Sequence, residues 1–199
     1  MTSTILAQSA AVNQPLSASE LDRARLYLEQ THNGVIGAIK LLSESQWSFK
    51  PAADRWSIAE NVEHIVFVLE VVLGPIRDQL AAAPWAPVNP AYSQIDEMVI
   101  GRFPGRLAKF PSPQPPAGGF ARTEALGRIA KNYARLNEYL ETTPALRHHT
   151  IEARPLKAVS NGIFDSMDGY QWIVAAAAHT ERHTKQILEV IAEPEFPAQ

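Results

Sequence analysis

The 199-residue sequence contains no cysteine, so it can form no disulfide, offers no thiolate to a metal ion and has no cysteine nucleophile. A surplus of basic residues is also missing, because 18 Lys and Arg stand against 21 Asp and Glu, for a formal charge of -3. Proteins that bind nucleic acids without sequence preference usually carry a basic surface. We therefore expect no nucleic-acid partner.

Long apolar runs are absent too. The longest, IVFVLEVVLGPI at 65–76, carries Glu70 and is far shorter than the ~20 residues needed to span a bilayer. The N-terminal stretch has no Lys or Arg before its sparse apolar residues, unlike a secretory signal peptide. The sequence therefore predicts a soluble, cytoplasmic protein with no membrane partner.

Helical periodicity dominates the rest of the chain. Residues 1–16 are predicted to be a flexible N-terminal lead-in, and residues 17–199 a single domain. Apolar residues recur at three-, four- and seven-residue steps, and Ser57 and Glu60 form a capping box at the start of the second helix. The predicted helices cover 17–42, 57–82, 123–142 and 169–192.

The connection between the second and third helices, residues 83–121, is long and rich in proline. Eight of the 15 prolines lie between Pro84 and Pro116, and only SQIDEMVIG at 93–101 is expected to form a short helix. Antiparallel neighbours need only a few connecting residues, whereas this segment is long enough to start the next helix in the same direction. These features predict an all-α protein, a four-helix bundle with a long Pro-rich crossover between helices 2 and 3.

His179 and His183 lie four residues apart in AAAAHTERHTKQILEVI, residues 175–191. On an α-helix this step returns to the same face about one turn further along, so the two imidazole rings project side by side. Two imidazole nitrogen atoms at that spacing can bind one metal ion at ~2.0–2.1 Å. The face they share is otherwise apolar, so the pair is expected to point into the bundle.

The motif is H-T-E-R-H rather than the H-E-x-x-H of zinc metalloproteases. Glu181 lies two positions from each histidine, which places it on the far side of the helix from the pair. It cannot serve as a zincin-type general base. Any metal chemistry must use another base, a bound water or a cofactor.

A metal site needs a third ligand, and four other histidines are available. His148 and His149 lie in a polar connection and are expected to be solvated. His32 lies beside the apolar stripe of the first helix, next to a loose Asn-Gly pair. His64 lies in a segment that is apolar nearly all round, and it is the favoured partner. The alternative is that the histidines are ordinary hydrogen-bonded residues of a structural bundle.

Two motifs together resemble the DinB-like (DinB/YfiT) superfamily. WSIAENVEHIVFVLE at 56–70 resembles the second-helix motif of that family, and HTERHTKQI at 179–187 resembles its fourth-helix signature. The stretch 28–57 is also similar to the family's first helix and following link. The resemblance covers the order of all four helices and is weakest over 83–121 and 143–167.

The resemblance implies an up-down-down-up bundle with a divalent metal ion held by His64, His179 and His183, and water in the remaining positions. Zinc or nickel is expected, with iron and cobalt as further candidates. Characterised relatives include thiol-dependent S-transferases and a thiol-dependent isomerase, and others are labelled metal-dependent hydrolases. Nothing in the sequence supports polymerase chemistry, although the family name invites that confusion.

The resemblance therefore implies an enzyme that activates water or a low-molecular-weight thiol at the metal ion, acts on a small molecule and forms a homodimer. No catalytic side chain is predicted. Arg182 and Lys185 are expected to lie on a solvated face. The alternative is a non-catalytic, stress-related metal-binding bundle. Polar candidates for the substrate pocket are Glu60, Asn61, Tyr133, Tyr170 and Gln186, although Glu60 also fits a helix cap and the two tyrosines also fit the core or its rim.

Overall fold

Most residues of the protein lie in helices, as the sequence predicts. The computed structural model describes residues 15–105 and 115–198; the predicted lead-in up to residue 14, and residues 106–114 of the predicted crossover, lie outside these ranges. The helices are α1 Ala18–Ile39, α2 Glu44–Ser48, α3 Ile58–Val71, α4 Arg77–Ala82, α5 Tyr92–Arg102, α6 Arg122–Thr142, α7 Arg154–Val159 and α8 Gly169–Ile191. The prediction of an all-α bundle is confirmed.

Local capping signals begin three of the long helices. Ser17 caps α1, Ser57 caps α3 and Asp168 caps α8, and in each case a reciprocal capping box is complete. The side chain of the cap accepts the backbone N–H of the third helical residue, while that residue's side chain accepts the N–H of the cap. Ser17 is also the residue at which the sequence predicts the first helix to begin.

The second predicted helix continues to Ala82, but it contains a wider turn. Between α3 and α4 the backbone passes through a π-helical segment, Val72–Ile76, that includes Pro75. Proline has no N–H to donate and its ring crowds the preceding turn, so a local change in helical pitch accommodates it. The helical backbone therefore continues without a break from α3 into α4.

Hydrogen bonds between side chains show the direction of α1 relative to its neighbours. Tyr27 of α1 donates to Glu181 of α8, and further back along both helices the Tyr170 hydroxyl donates to the carbonyl of Glu20, so α1 and α8 run parallel. Against α6 the order is reversed. Arg25 pairs with Glu141, whereas Thr31, later in α1, bonds to Tyr133, earlier in α6.

The remaining two interfaces complete the course of the bundle. Asn61 contacts His183, and His64 contacts His179, so α3 and α8 run antiparallel. Glu70 of α3 pairs with Arg128 of α6. Glu63, about two turns earlier in α3, accepts the backbone N–H of Gly119 just before α6 begins, so α3 and α6 run parallel. The four long helices therefore follow the predicted up-down-down-up course.

Short elements fill the two long connections. Helix α5 lies in the crossover where a short helix is predicted, and strand β1 Thr150–Glu152 lies in the connection that follows α6. Its antiparallel partner β2 Ser166–Asp168, with Ile151 opposite Met167, was not predicted. Neither strand is long enough for a periodic pattern to be visible in the sequence.

The connection after α6 is buried rather than solvated. The Arg147 side chain, 6% exposed, pairs with Glu20, Asp96 and Asp168 at the end of the bundle. The expectation that His148 is solvated is wrong: it is 4% exposed and its ring stacks on Trp85, with a centroid distance of 4.9 Å. The crossover passes over this connection and removes it from water.

The core is a single apolar cluster between the four long helices. Its fully buried large side chains include Leu28, Ile39, Ile65, Leu69, Ile129, Leu136 and Leu140. Within the described ranges, no helix combines the length and apolar character needed to cross a membrane.

Candidate metal centre

Three histidine side chains converge between α3 and α8. His64 of α3 lies opposite His179 and His183 of α8, and one potential ligand atom from each of the three lies within 4.8 Å of the others. The Nε2 atoms of His64 and His179 are 3.2 Å apart. The structure thus brings together the three residues that the sequence predicts as ligands.

Packing of α8 places these rings close to α3. The four alanines Ala175–Ala178 that precede His179 are all buried, so α8 lies close to its neighbours over this turn. The four-residue spacing then puts His179 and His183 on the face that meets α3. Their ring centroids are 4.5 Å apart, and those of His64 and His183 are 4.7 Å apart.

All three imidazoles are held in the neutral form. Burial lowers the pKa of His64 to about 4, with a smaller contribution from the positive charge of Arg182. Burial and the neighbouring His64 lower the pKa of His179 to about 3, and burial likewise lowers the pKa of His183 well below its usual value. Neutral imidazole is the form that binds metal ions.

The tautomer of His183 is fixed by Asn61. The Nδ2 atom of Asn61 donates to the Ser57 carbonyl at 2.8 Å, which leaves its Oδ1 atom to accept a hydrogen bond. This Oδ1 lies 3.1 Å from Nδ1 of His183. His183 therefore donates from Nδ1, and the lone pair that can bind a metal ion is on its Nε2 atom. Asn61 is 1% exposed, so it lies behind the histidine and orients it.

An aromatic ring covers one side of the cluster. Trp56 stacks on His183, with ring centroids 5.8 Å apart and an interplanar angle of 20°, and its centroid is 5.1 Å from that of His64. Nδ1 of His179 is buried and has no hydrogen-bond partner among the residues that the structure describes. The cluster is thus covered by an aromatic ring on one side and contains a buried imidazole nitrogen without a partner among the described residues.

This donor set fits a divalent metal ion. Two nitrogen atoms bound tetrahedrally at ~2.0–2.1 Å lie about 3.4 Å apart, close to the 3.2 Å between Nε2 of His64 and Nε2 of His179. Three protein ligands leave at least one coordination position open, the arrangement of catalytic rather than structural zinc sites. Imidazole donors suit zinc, nickel, iron and cobalt alike.

The remaining pocket candidates lie at different distances from the cluster. Glu60 completes the cap of α3 and pairs with Lys50 at 2.7 Å, and Gln186 lies within hydrogen-bonding reach of His183. Tyr133 is buried and bonds to Thr31 at 2.9 Å.

Tyr170, by contrast, lies toward the end of the bundle where the Arg147 guanidinium covers its ring, 4.0 Å from the centroid. The other three histidines of the chain stand apart from the cluster as well. His32 packs against Tyr133, whereas His148 and His149 bond to carbonyl groups of the crossover.

Glu181 and Arg182, two neighbouring charged residues of α8, differ in their relation to the histidines. Glu181 accepts a hydrogen bond from Tyr27 at 2.7 Å and pairs with Lys185, so it is engaged away from the histidines. Arg182 was expected on a solvated face, but it is half-buried and donates to the carbonyl of Gly105 in the crossover. Its positive charge contributes to the lowered pKa of all three histidines.

Sequence comparison identifies one related family. A family model described as the DinB superfamily matches residues 27–187, a range that includes His64, His179 and His183. No curated protein and no solved structure gives a significant match to the chain.

Proposed function

The chain belongs to the DinB superfamily, and from this premise we propose that it is a metal-dependent enzyme that activates a water molecule or a small thiol at its three-histidine centre. The observation that carries the proposal is the convergence of three neutral imidazoles with a fixed Nε2 lone pair on His183. His64, His179 and His183 would hold a divalent ion there, and such an ion would lower the pKa of a bound water or thiol.

The surrounding residues support this chemistry in distinct ways. Asn61 holds the His183 ring in one tautomer, and Trp56 excludes water from one side of the cluster. The three imidazoles carry no charge and the positive charge of Arg182 acts on all of them, so the centre favours an anionic partner such as a thiolate.

A thiol used by this enzyme must come from a separate small molecule, because the chain has no cysteine. Thiol S-transfer and hydrolysis are therefore the two reactions to compare. We propose zinc or nickel as the metal ion, since both accept imidazole ligands at sites of this kind.

A non-catalytic metal-binding bundle is the second candidate function. It is favoured by the positions of the acidic residues adjacent in sequence to the ligands. Glu63 accepts backbone N–H groups of Ala117 and Gly119, and Glu181 bonds to Tyr27, so neither is aimed at the cluster as a general base.

Elemental analysis of the purified protein tests the site. We expect about one equivalent of a divalent transition metal in the wild type and in His149→Ala, whose imidazole bonds to the Ala83 carbonyl away from the cluster. His64→Ala and His179→Ala should lose it. A metal-free wild type, or full metal content in His64→Ala, would contradict the proposal.

Activity assays then separate the candidates. Incubation of the loaded protein with a small thiol and an electrophile tests S-transfer, and hydrolysis of generic esters with and without chelator tests the hydrolase. Loss of turnover in His64→Ala with wild-type turnover in His149→Ala would support an enzyme. Turnover equal to that of the metal-free protein in every assay would favour the binding protein.

A further inference from the structure

A cavity of about 260 Å³ lies beside the metal centre. It is partly open, it is lined by residues of α3, of α6 and of the end of the crossover, and His64 lies in its wall. A molecule in this cavity would therefore lie next to one of the three histidines. The other residues of the wall that bear on its chemistry are Glu63, Phe67, Glu70, Phe120 and Arg128.

Among the described residues of this wall, the one cation, Arg128, is already paired. Arg128 bonds to both carboxylate oxygens of Glu70, at 2.8 and 2.9 Å, and its guanidinium lies over the Phe120 ring, 4.2 Å from the centroid. A bidentate pair of this kind fixes the orientation of both partners. An anionic ligand would have to displace Glu70 from Arg128.

Glu63 is a different kind of carboxylate. Its two oxygen atoms accept the backbone N–H groups of Ala117 and Gly119, at 3.3 and 2.7 Å. These donors are neutral, and no Lys or Arg pairs with Glu63 in the parts of the chain that the structure describes. The cavity therefore has a wall with an uncompensated negative charge on Glu63.

An aromatic ring lies one turn from this carboxylate. Phe67 follows Glu63 by four residues on α3, so both side chains lie on the same face of the helix, and both line the cavity. The face of an aromatic ring attracts cations and packs against apolar groups. A carboxylate and an aromatic face together are a common way to hold an organic ammonium group.

We propose that this cavity binds the non-reacting part of the substrate, and that this part is a compact apolar or aromatic group with a positively charged amine. The proposal rests on the metal-dependent function above and adds the substrate class. The volume is below the ~300–1,000 Å³ of pockets that hold drug-sized ligands, so a single ring with a short side chain fits it.

Three probes that differ mainly in charge test the proposal: benzylamine, benzyl alcohol and benzoate. Titrations of the metal-loaded wild type, followed by NMR or calorimetry, should show benzylamine binding about fivefold or more tightly than the other two. Benzoate binding as tightly as benzylamine would overturn the proposal. The order of the probes on the wild type decides this even where a variant does not fold.

Matched variants assign the preference to Glu63. Glu63→Gln keeps an oxygen acceptor for the backbone of the crossover but removes the charge, so the preference for benzylamine should disappear. Glu138→Gln makes the same charge change at an exposed position of α6 outside the cavity, and the preference should remain. A preference that survives in Glu63→Gln would count against the assignment.

Metal content and probe position are read separately on the same samples. With Mn²⁺ or Co²⁺ bound, the ring protons of benzylamine should show enhanced relaxation, and His179→Ala should bind benzylamine without it. A wild-type protein that binds no metal would refute the proposed function, and its preference for benzylamine over the other two probes could still be measured. Loaded protein that binds benzylamine without enhanced relaxation would show that the cavity does not serve the metal centre.

Discussion

The Nδ1 atom of His183 lies 3.1 Å from the Oδ1 atom of Asn61, across the interface between α8 and α3. A buried amide on one helix thus fixes the tautomer of a proposed ligand on another. Partners of this kind orient the ligand ring and raise its basicity, and their loss typically lowers metal affinity by about 10–100-fold.

We predict that loss for Asn61→Ala, measured by competition with a chromogenic zinc chelator. Asn132→Ala is the matched control, because Asn132 is equally buried but contacts Glu70 of the Arg128 pair rather than a histidine. It should alter stability without altering metal affinity. Equal affinities in the wild type and Asn61→Ala would show that the amide does not orient the ligand.

The metal-free protein should lose stability as the pH falls below about 6.5. The pKa of His64 is lowered to about 4 and that of His179 to about 3, from an ordinary value of 6.5. Between these values the unfolded chain binds protons that the folded chain does not, so the free energy of unfolding falls with the pH. Each histidine contributes at most ~1.4 kcal/mol per pH unit.

Urea unfolding of chelator-treated protein at several pH values between about 7.5 and 4.5 measures this slope. His179→Gln, which removes one of the titrating groups, should show a shallower slope over the same window. At pH values above about 7, the imidazoles are neutral in both the folded and the unfolded state, so they no longer make the free energy of unfolding depend on pH. Identical slopes for the two proteins would contradict the lowered pKa of His179.

Arg147 is expected to be a major determinant of stability. It is the buried guanidinium that faces Glu20, Asp96 and Asp168, with nitrogen–oxygen distances of 2.6 to 2.9 Å. Replacement by methionine leaves these acidic groups without their cation. Breaking a buried ion pair by removing one partner typically costs about 3–5 kcal/mol of unfolding free energy.

Denaturant unfolding compares Arg147→Met with Arg25→Met. Arg25 pairs with Glu141 at the surface, where both side chains are nearly half exposed, so its replacement should cost at most about 1 kcal/mol. Similar losses for both variants would mean that the Arg147 cluster contributes little beyond an ordinary surface pair.

Two glycines offer a contrast in available space. A Cβ atom at Gly169, the first residue of α8, would lie 2.6 Å from Cδ2 and 3.1 Å from the carbonyl oxygen of Leu146. Gly169→Ala should therefore destabilise the fold by about 1–3 kcal/mol through overpacking. At Gly127, inside α6, the same atom meets nothing within 4 Å.

Gly127→Ala is expected to stabilise the protein by about 0.5–1 kcal/mol, because alanine loses less backbone entropy in a helix than glycine does. Thermal and urea unfolding should show a lower free energy of unfolding for Gly169→Ala and a higher one for Gly127→Ala than for the wild type. A neutral Gly169→Ala would mean that Leu146 moves aside without cost.

The helices, their caps and their order could be predicted because each depends on neighbours in sequence. The capping box of Ser57 and Glu60 is local, and so is the four-residue spacing of His179 and His183. The length of the crossover then indicates the parallel course of α3 and α6. These features need no knowledge of what the chain folds against.

The features that the sequence did not predict depend on contacts between distant segments. His148 is buried because the crossover covers it, and Arg182 leaves water because Gly105 of the same crossover offers it a carbonyl. Asn61 was proposed for the substrate pocket, since nothing local shows that its amide faces His183. The π-helical turn around Pro75 is likewise one of several ways a helix can absorb a proline.

His64 is separated from the two histidines of α8 by more than a hundred residues of chain, and it lies 115 positions before His179. On the ribosome, His64 is therefore made long before its partners, and an incomplete chain has no three-histidine cluster to load. Contacts of such long range also slow folding, because the chain loses the entropy of a large loop before the contacts can stabilise it. A metal ion could then bind only after α8 has been synthesised and has packed against α3.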